Sequence, residues 1–204
     1  MPLAPQLIAT AADEWKRWGY SVRPLHGPGK IVGKEGVAPY VGYVNDYWRV
    51  VGEPTWNGNT PQPWSAAFIS FCFKTAGAGN GFPYRAAHAE YCRAILQSPA
   101  TYPGLALADP ATTPLALGDL IWAGRAGSTC PTPPKTYAEA IARLKGANHD
   151  FCSHCDIVVE LRPGEVDVIG GNVSNSVTRS TYTTRNGCIS DARHAWLAVI
   201  KNTL

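Results

Sequence analysis

The sequence predicts an α+β fold, with N-terminal helices packed against a C-terminal antiparallel sheet. Two observations carry that expectation. Through Gln97 the apolar residues recur at steps of three and four, the period of one helix face. After Leu115 the period changes to short Val- and Ile-rich runs divided by Pro-Gly, Asn and Gly turns, as in consecutive strands. A run of helices followed by a run of strands places the helices on one face of the sheet.

The elements follow in order. Leu7, Ile8, Ala11, Trp15 and Trp18 mark a helix over 4–19. Tyr40, Val44, Tyr47, Trp48 and Val51 share the face of a second helix over 39–52, which Gly52 ends. The loop EPTWNGNTPQPW, dense in Pro, Gly and Asn, leads into a buried helix over 65–76 that Gly77 stops. A fourth helix, PYRAAHAEYCRAILQ, is expected to open near Pro83 and to end before Pro99. Strands are expected at 115–124, 155–161, 165–171, 176–184 and 194–200. A segment over 125–153, with Pro131, Pro133 and Pro134 and a short helix at 136–145, interrupts them. There is no internal repeat.

Composition narrows the function. The chain has 204 residues, 45% hydrophobic and 16% charged, which suits one globular domain and excludes a disordered chain or a coiled coil. The net charge is only +3 and no Lys/Arg run exceeds two residues, so nucleic acid is not expected as a partner. An anionic polymer remains compatible. No apolar stretch approaches the ~18 residues of a membrane span. The N-terminus lacks a basic start, and Asp13 and Glu14 follow its short apolar part, so it reads as a helix and not as a signal peptide. Six cysteines permit one to three bridges and leave the redox compartment undecided.

Three positions stand out for chemistry. Ser65 follows Pro63-Trp64 at the start of an apolar helix, where free N–H groups and the helix dipole favour developing negative charge. Ser is also a preferred N-cap, which is the plainer role for it. His154 stands at the mouth of the strand CDIVVEL, where an ordinary strand-edge residue would also sit. Asn172 follows Gly170-Gly171 at the end of the next strand; it is a usual turn residue, but one able to orient an imidazole if the two strands pair.

Taken together, this order resembles the papain-like hydrolases of the NlpC and CHAP type, over residues 60–175. The carrying stretches are Trp64-Ser65-Ala66-Ala67-Phe68-Ile69-Ser70, Leu117-Gly118-Asp119-Leu120-Ile121, His154-Cys155-Asp156 and Gly170-Gly171-Asn172. With Phe82-Pro83-Tyr84 and His88, the whole looks like a serine-bearing bacterial branch of that clan, first catalogued as a domain of unknown function. The resemblance implies one papain-like domain, with a helical part over 1–58 and a catalytic core over 59–204. It implies hydrolysis of amide bonds in the peptide stems of bacterial peptidoglycan. Ser65 would be the nucleophile, His154 the base that later protonates the leaving amine, and Asn172 the group that orients the imidazole. The Ser65 backbone N–H would contribute to an oxyanion hole. Trp64, Tyr84, His88 and Trp56 would contact substrate, with helix packing the alternative for Tyr84 and His88; Trp48 reads as core. No cofactor or metal is implied. The protein would be a monomer acting in the periplasm or cell wall, delivered by a route that ignores signal peptides, with an immunity or secretion protein as a further partner. An antibacterial effector, a phage lysin and a remodelling enzyme would share these features.

The departure from that clan is Ser65, which stands where its relatives carry Cys. A thiol is easily made a thiolate, whereas a hydroxyl depends on a general base in the transition state. A natural serine hydrolase, a Cys→Ser trapped variant and an inactive wall- or partner-binding module are the three readings. An acyl or ester hydrolase of the same fold is a further alternative. Cys72 lies two turns into the apolar helix and Cys155 points away from the His154 face, so neither replaces Ser65. Cys72 and Cys92 are expected as core thiols, with a bridge between them the alternative. The spacing His149-x2-Cys152-x-His154-Cys155 fits no zinc pattern, and a disulfide between two of Cys130, Cys152 and Cys188 is favoured over a metal. Asp119 and Asp156 read as structural. Nothing suggests the placed pair of carboxylates that glycan cleavage needs.

Overall fold

A computed structural model of the chain describes residues 2–126, 130, 132–147 and 149–204. Among these, five helices lie against a mixed eight-stranded sheet: α1 (Ala4–Arg17), α2 (Tyr40–Val50), α3 (Ser65–Thr75), α4 (His88–Gln97) and α5 (Tyr137–Lys145), with β1 (Ser21–Arg23), β2 (Leu105–Ala108), β3 (Leu120–Gly124), β4 (Ser153–Arg162), β5 (Glu165–Gly170), β6 (Thr178–Arg185), β7 (Cys188–Ile189) and β8 (Ala195–Asn202). The strand order is β1-β6-β5-β4-β3-β8-β2, with β7 on β6. The α+β class therefore stands. The sheet is not wholly antiparallel, because β1 runs parallel to β6, with Ser21 opposite Thr178. So short a strand carries no periodicity; its place comes from tertiary bonds, among them Ser21 Oγ to Ser176 Oγ at 2.9 Å.

The helix face of the sheet holds the larger core. Cys155 and Ile157 of β4 and Trp122 of β3 meet Phe68, Phe73 and Tyr91 there. Alternation sends Val158, Val166, Val168 and Val199 to a smaller cluster on the opposite face. α1 packs on α3, β4 and β5. Its Trp18 donates to the Tyr47 hydroxyl at 2.7 Å, and that hydroxyl in turn donates to the buried Glu14 carboxylate.

Two boundaries differ from the expected ones. The fourth helix starts at His88 and not near Pro83. Ser70 Oγ takes the Arg85 N–H and donates to the Arg85 carbonyl, and Ala87 is extended, so residues 82–87 cross the helix layer as a strap. The run beginning at Leu115 becomes strand only from Leu120. Gly118 has φ +82°, and Asp119 folds back to accept the Ala116 N–H at 2.7 Å. The strand β2 went unseen in the sequence because LALA is as good a helix segment as a strand until β8 pairs with it.

Candidate active site

Ser65 is held by what surrounds the start of α3. It is the first helical residue, and Trp64 before it carries the N-cap conformation. The Trp64 ring is 1% exposed and stacks on Trp18 at 5.1 Å and Tyr47 at 5.5 Å. Its indole N–H donates to the Glu35 carboxylate. Asn172, with φ +59°, turns back from the end of β5. Its amide oxygen accepts the Trp64 backbone N–H at 3.2 Å and its amide nitrogen meets Glu35 at 3.3 Å. Gly171 permits this close seating, since a Cβ there would fall 2.5 Å from Phe68. Asn172 is thus a clamp on the start of α3.

The Ser65 hydroxyl does not cap its helix. It lies 2.6 Å from His88 Nε2, and His88 Nδ1 lies 2.5 Å from the Tyr91 hydroxyl. Serine is 3% and His88 4% exposed. Burial first, then the neighbouring His154 and Arg125 charges, push the His88 pKa well below the usual histidine value, so this imidazole is neutral near pH 7. Burial, with the thiols of Cys155 and Cys92 nearby, keeps the Tyr91 hydroxyl protonated.

A second imidazole stands beside the first. His154, opposite Ala123 of β3, has its ring centroid 5.6 Å from that of His88. Its Nε2 is 2.8 Å from Oδ1 of Asp156, two residues on along the same strand face and 3% exposed. No hydrogen bond joins His154 to Ser65, and its Nδ1 is buried without a partner. Gly170 opposite leaves room for the pair: a Cβ there would lie 1.7 Å from Asp156 Oδ1 and 3.0 Å from His154 Nε2.

Of the expected triad, Ser65 and His154 therefore come into one cluster, while the imidazole-orienting role expected of Asn172 is held by Asp156. The reason is reach: after Gly170-Gly171 the chain turns toward α3, and the i,i+2 carboxylate is already on the His154 face. Asp156, expected to be structural, belongs to the site. Asp119 is structural, accepting the Ala116 and Asn202 N–H groups and pairing with Lys201. His88 joins the cluster on Ser65, enclosed and not as a surface contact. Trp64, expected on substrate, is core, because its ring is the one that α1 and α2 close over. Trp56 packs edge-on to Trp48 at 4.8 Å, and the Tyr84 hydroxyl donates to the Gly79 carbonyl at 2.7 Å, so both serve packing at the helix layer.

A cavity of about 100 Å³ opens beside His154 and Asp156. Arg23, Arg125, Tyr182, His194 and Trp196 contribute to its wall; Ser65 and His88 do not line it. Sequence reasoning missed the β6 and β8 members because each is a lone aromatic or His in an ordinary strand. Nearby, Cys130 and Cys152 form a disulfide across 22 residues, and the Cys152 carbonyl accepts the Arg125 N–H at 3.0 Å. Cys72, Cys92 and Cys155 are free and buried. Burial, with the Cys155 thiol nearby, pushes the Cys92 thiol pKa up. Among the described residues no group of three or more His, Cys, Asp or Glu is placed to hold a metal.

Residues 50–202 match the family described as "Uncharacterized protein conserved in bacteria (DUF2272)", 153 of the 204 residues. The chain belongs to the DUF2272 family. The DUF2272 match takes in Ser65, His88, His154, Asp156 and Asn172, whereas α1 and β1 precede it. A search of curated proteins and one of solved structures find no significant match.

Proposed function

We propose that the protein is a serine-dependent hydrolase that cleaves amide bonds in the peptide stems of bacterial peptidoglycan, with Ser65 as nucleophile. One observation carries the reading: the Ser65 hydroxyl, at the N-terminus of a buried helix, lies 2.6 Å from His88, whose ring centroid is 5.6 Å from that of a second histidine held by a buried carboxylate. The substrate class rests on the papain-like resemblance of residues 60–175 and on membership of a bacterial family.

The charges divide the two imidazoles. Asp156 Oδ1 accepts the His154 Nε2–H, which leaves a lone pair on Nδ1, the ring nitrogen with no partner. Asp156 also fixes the orientation of the His154 ring, whereas burial opposes an imidazolium at His88. His154 is accordingly the base. His88, taking the Tyr91 O–H at Nδ1, donates Nε2–H to Ser65 Oγ and holds its rotamer. Ser65 Oγ attacks the carbonyl carbon and its proton passes to His154 Nδ1. Backbone N–H groups at the start of α3 stabilise the oxyanion. The C–N bond then breaks as His154 returns the proton to the leaving amine, and water repeats the sequence on the acyl-serine. The Cys130–Cys152 disulfide supports action in an oxidising compartment such as the periplasm or cell wall.

A second reading is favoured by the 3% exposure of Ser65: a wall- or partner-binding module that uses the cavity without catalysis. Digestion of purified peptidoglycan with mass analysis of the products separates the two. Wild type should release new amino termini, and Ser65→Ala should release none while still binding the wall. If wild type and Ser65→Ala both release nothing but Ser65→Cys does, the hydrolase reading of this chain fails.

A further inference from the structure

Among the described residues seven of the eleven arginines make an ion pair or a side-chain hydrogen bond; Arg23, Arg49, Arg125 and Arg185 make neither, and of these only Arg23 and Arg125 line a cavity. Arg17, Arg162, Arg179 and Arg193 each meet a carboxylate. Arg23 and Arg125 have no ion pair and no side-chain hydrogen bond to any described residue, and both are exposed. They come from β1 and from the end of β3, on either side of the β6–β5–β4 stretch, yet both line the cavity beside His154. The one carboxylate on that wall is Asp156, whose Oδ1 is engaged by His154. Tyr182 and Trp196, with ring centroids 5.1 Å apart, supply an apolar side.

We infer that this cavity is a carboxylate-recognition site, in which Arg23 and Arg125 hold a free carboxylate of the ligand against the His154–Asp156 pair. Guanidinium groups match a carboxylate with two parallel hydrogen bonds, and such bonds gain strength beside apolar walls. The charge count selects the anion. Two guanidinium groups and one carboxylate leave a net charge of +1 on the wall, which one carboxylate neutralises and a phosphate dianion would overshoot. The volume, about 100 Å³, admits a terminal residue and not a polymer segment. The inference deepens the hydrolase reading and rests on it for the identity of the ligand, a peptide with an anionic end.

Calorimetry tests it by binding alone, with the Ser65→Ala protein and three probes: N-acetyl-alanylalanine, its C-terminal amide and inorganic phosphate. The acid should bind about tenfold or more tightly than the amide. Arg23→Gln and Arg125→Gln should each remove most of that preference, and the Lys variants should keep part of it. Both sites are exposed, and a thermal melt of each variant checks that it folds. Equal binding of acid and amide, no binding of either at millimolar concentration, a preference that survives both Gln variants, or phosphate binding tighter than the acid would each overturn the inference. Cleavage is measured separately on wild type. Loss of the hydrolase reading with the acid preference intact leaves the carboxylate site standing, and the reverse result removes the site alone.

Discussion

Gly170→Ala should disable the His154–Asp156 pair without touching either residue. The new Cβ would lie 1.7 Å from Asp156 Oδ1 and 2.9 Å from its Cγ. Ordinary contact needs more than about 3.2 Å, so the carboxylate oxygen must retreat by roughly 1.5 Å. The bond to His154 Nε2, now 2.8 Å, then passes beyond hydrogen-bond length. Overpacking of this kind costs about 1–3 kcal/mol. For a chain of this size that lowers the thermal midpoint by roughly 2–4 °C per kcal/mol. Activity should fall further than stability, by about 10²-fold or more at a temperature where the variant is fully folded, because the His154 ring loses the carboxylate that orients it. Peptidoglycan digestion read beside a thermal melt gives both quantities. Asp156→Asn should impose a similar loss, and the double variant should lose little more than either single one, since both act through one interaction. A Gly170→Ala protein that keeps activity within about threefold while its midpoint drops would refute the dependence on this pair.

His154→Gln should reduce turnover by about 10²–10⁴-fold, as for loss of a general base, while His88→Gln should cost about tenfold, as for one hydrogen bond; the opposite ranking would make His88 the base. His88 also links stability to pH: its folded pKa is depressed, so its contribution is present above the unfolded value of about 6.5 and is lost as pH falls below it, by up to about 1.4 kcal/mol per unit. Urea midpoints from pH 7 to 5 should therefore slope more steeply for wild type than for His88→Gln. Reduction of Cys130–Cys152 should cost about 3 kcal/mol for the 22-residue separation, read as a drop in the melting point with dithiothreitol. Iodoacetamide under native conditions should leave turnover intact, because three of the four free thiols are buried; inactivation of a still-folded protein would return Cys155 or Cys72 to consideration.

The sequence by itself determined the α+β class and the order of the main elements. Helix faces and buried strands are written as local periods, and the periods at Leu7–Trp18, Tyr40–Val51 and Val158–Ile169 survive any tertiary arrangement. It also placed a hydroxyl at the first residue of a buried helix and an imidazole at the start of a strand. Tertiary structure decided what those groups touch. A strand can be read without its partners, but a hydrogen bond cannot, so the contact of Ser65 with His88, 23 residues on, had no local trace. Asn172 and Asp156 exchanged their expected roles because a left-handed turn at Asn172 carries its amide to α3, while the two-residue strand period keeps Asp156 beside His154. Arg23, in a three-residue strand, reaches the cavity only because β1 adds in parallel to β6, a pairing between segments more than 150 residues apart that no neighbouring residue encodes.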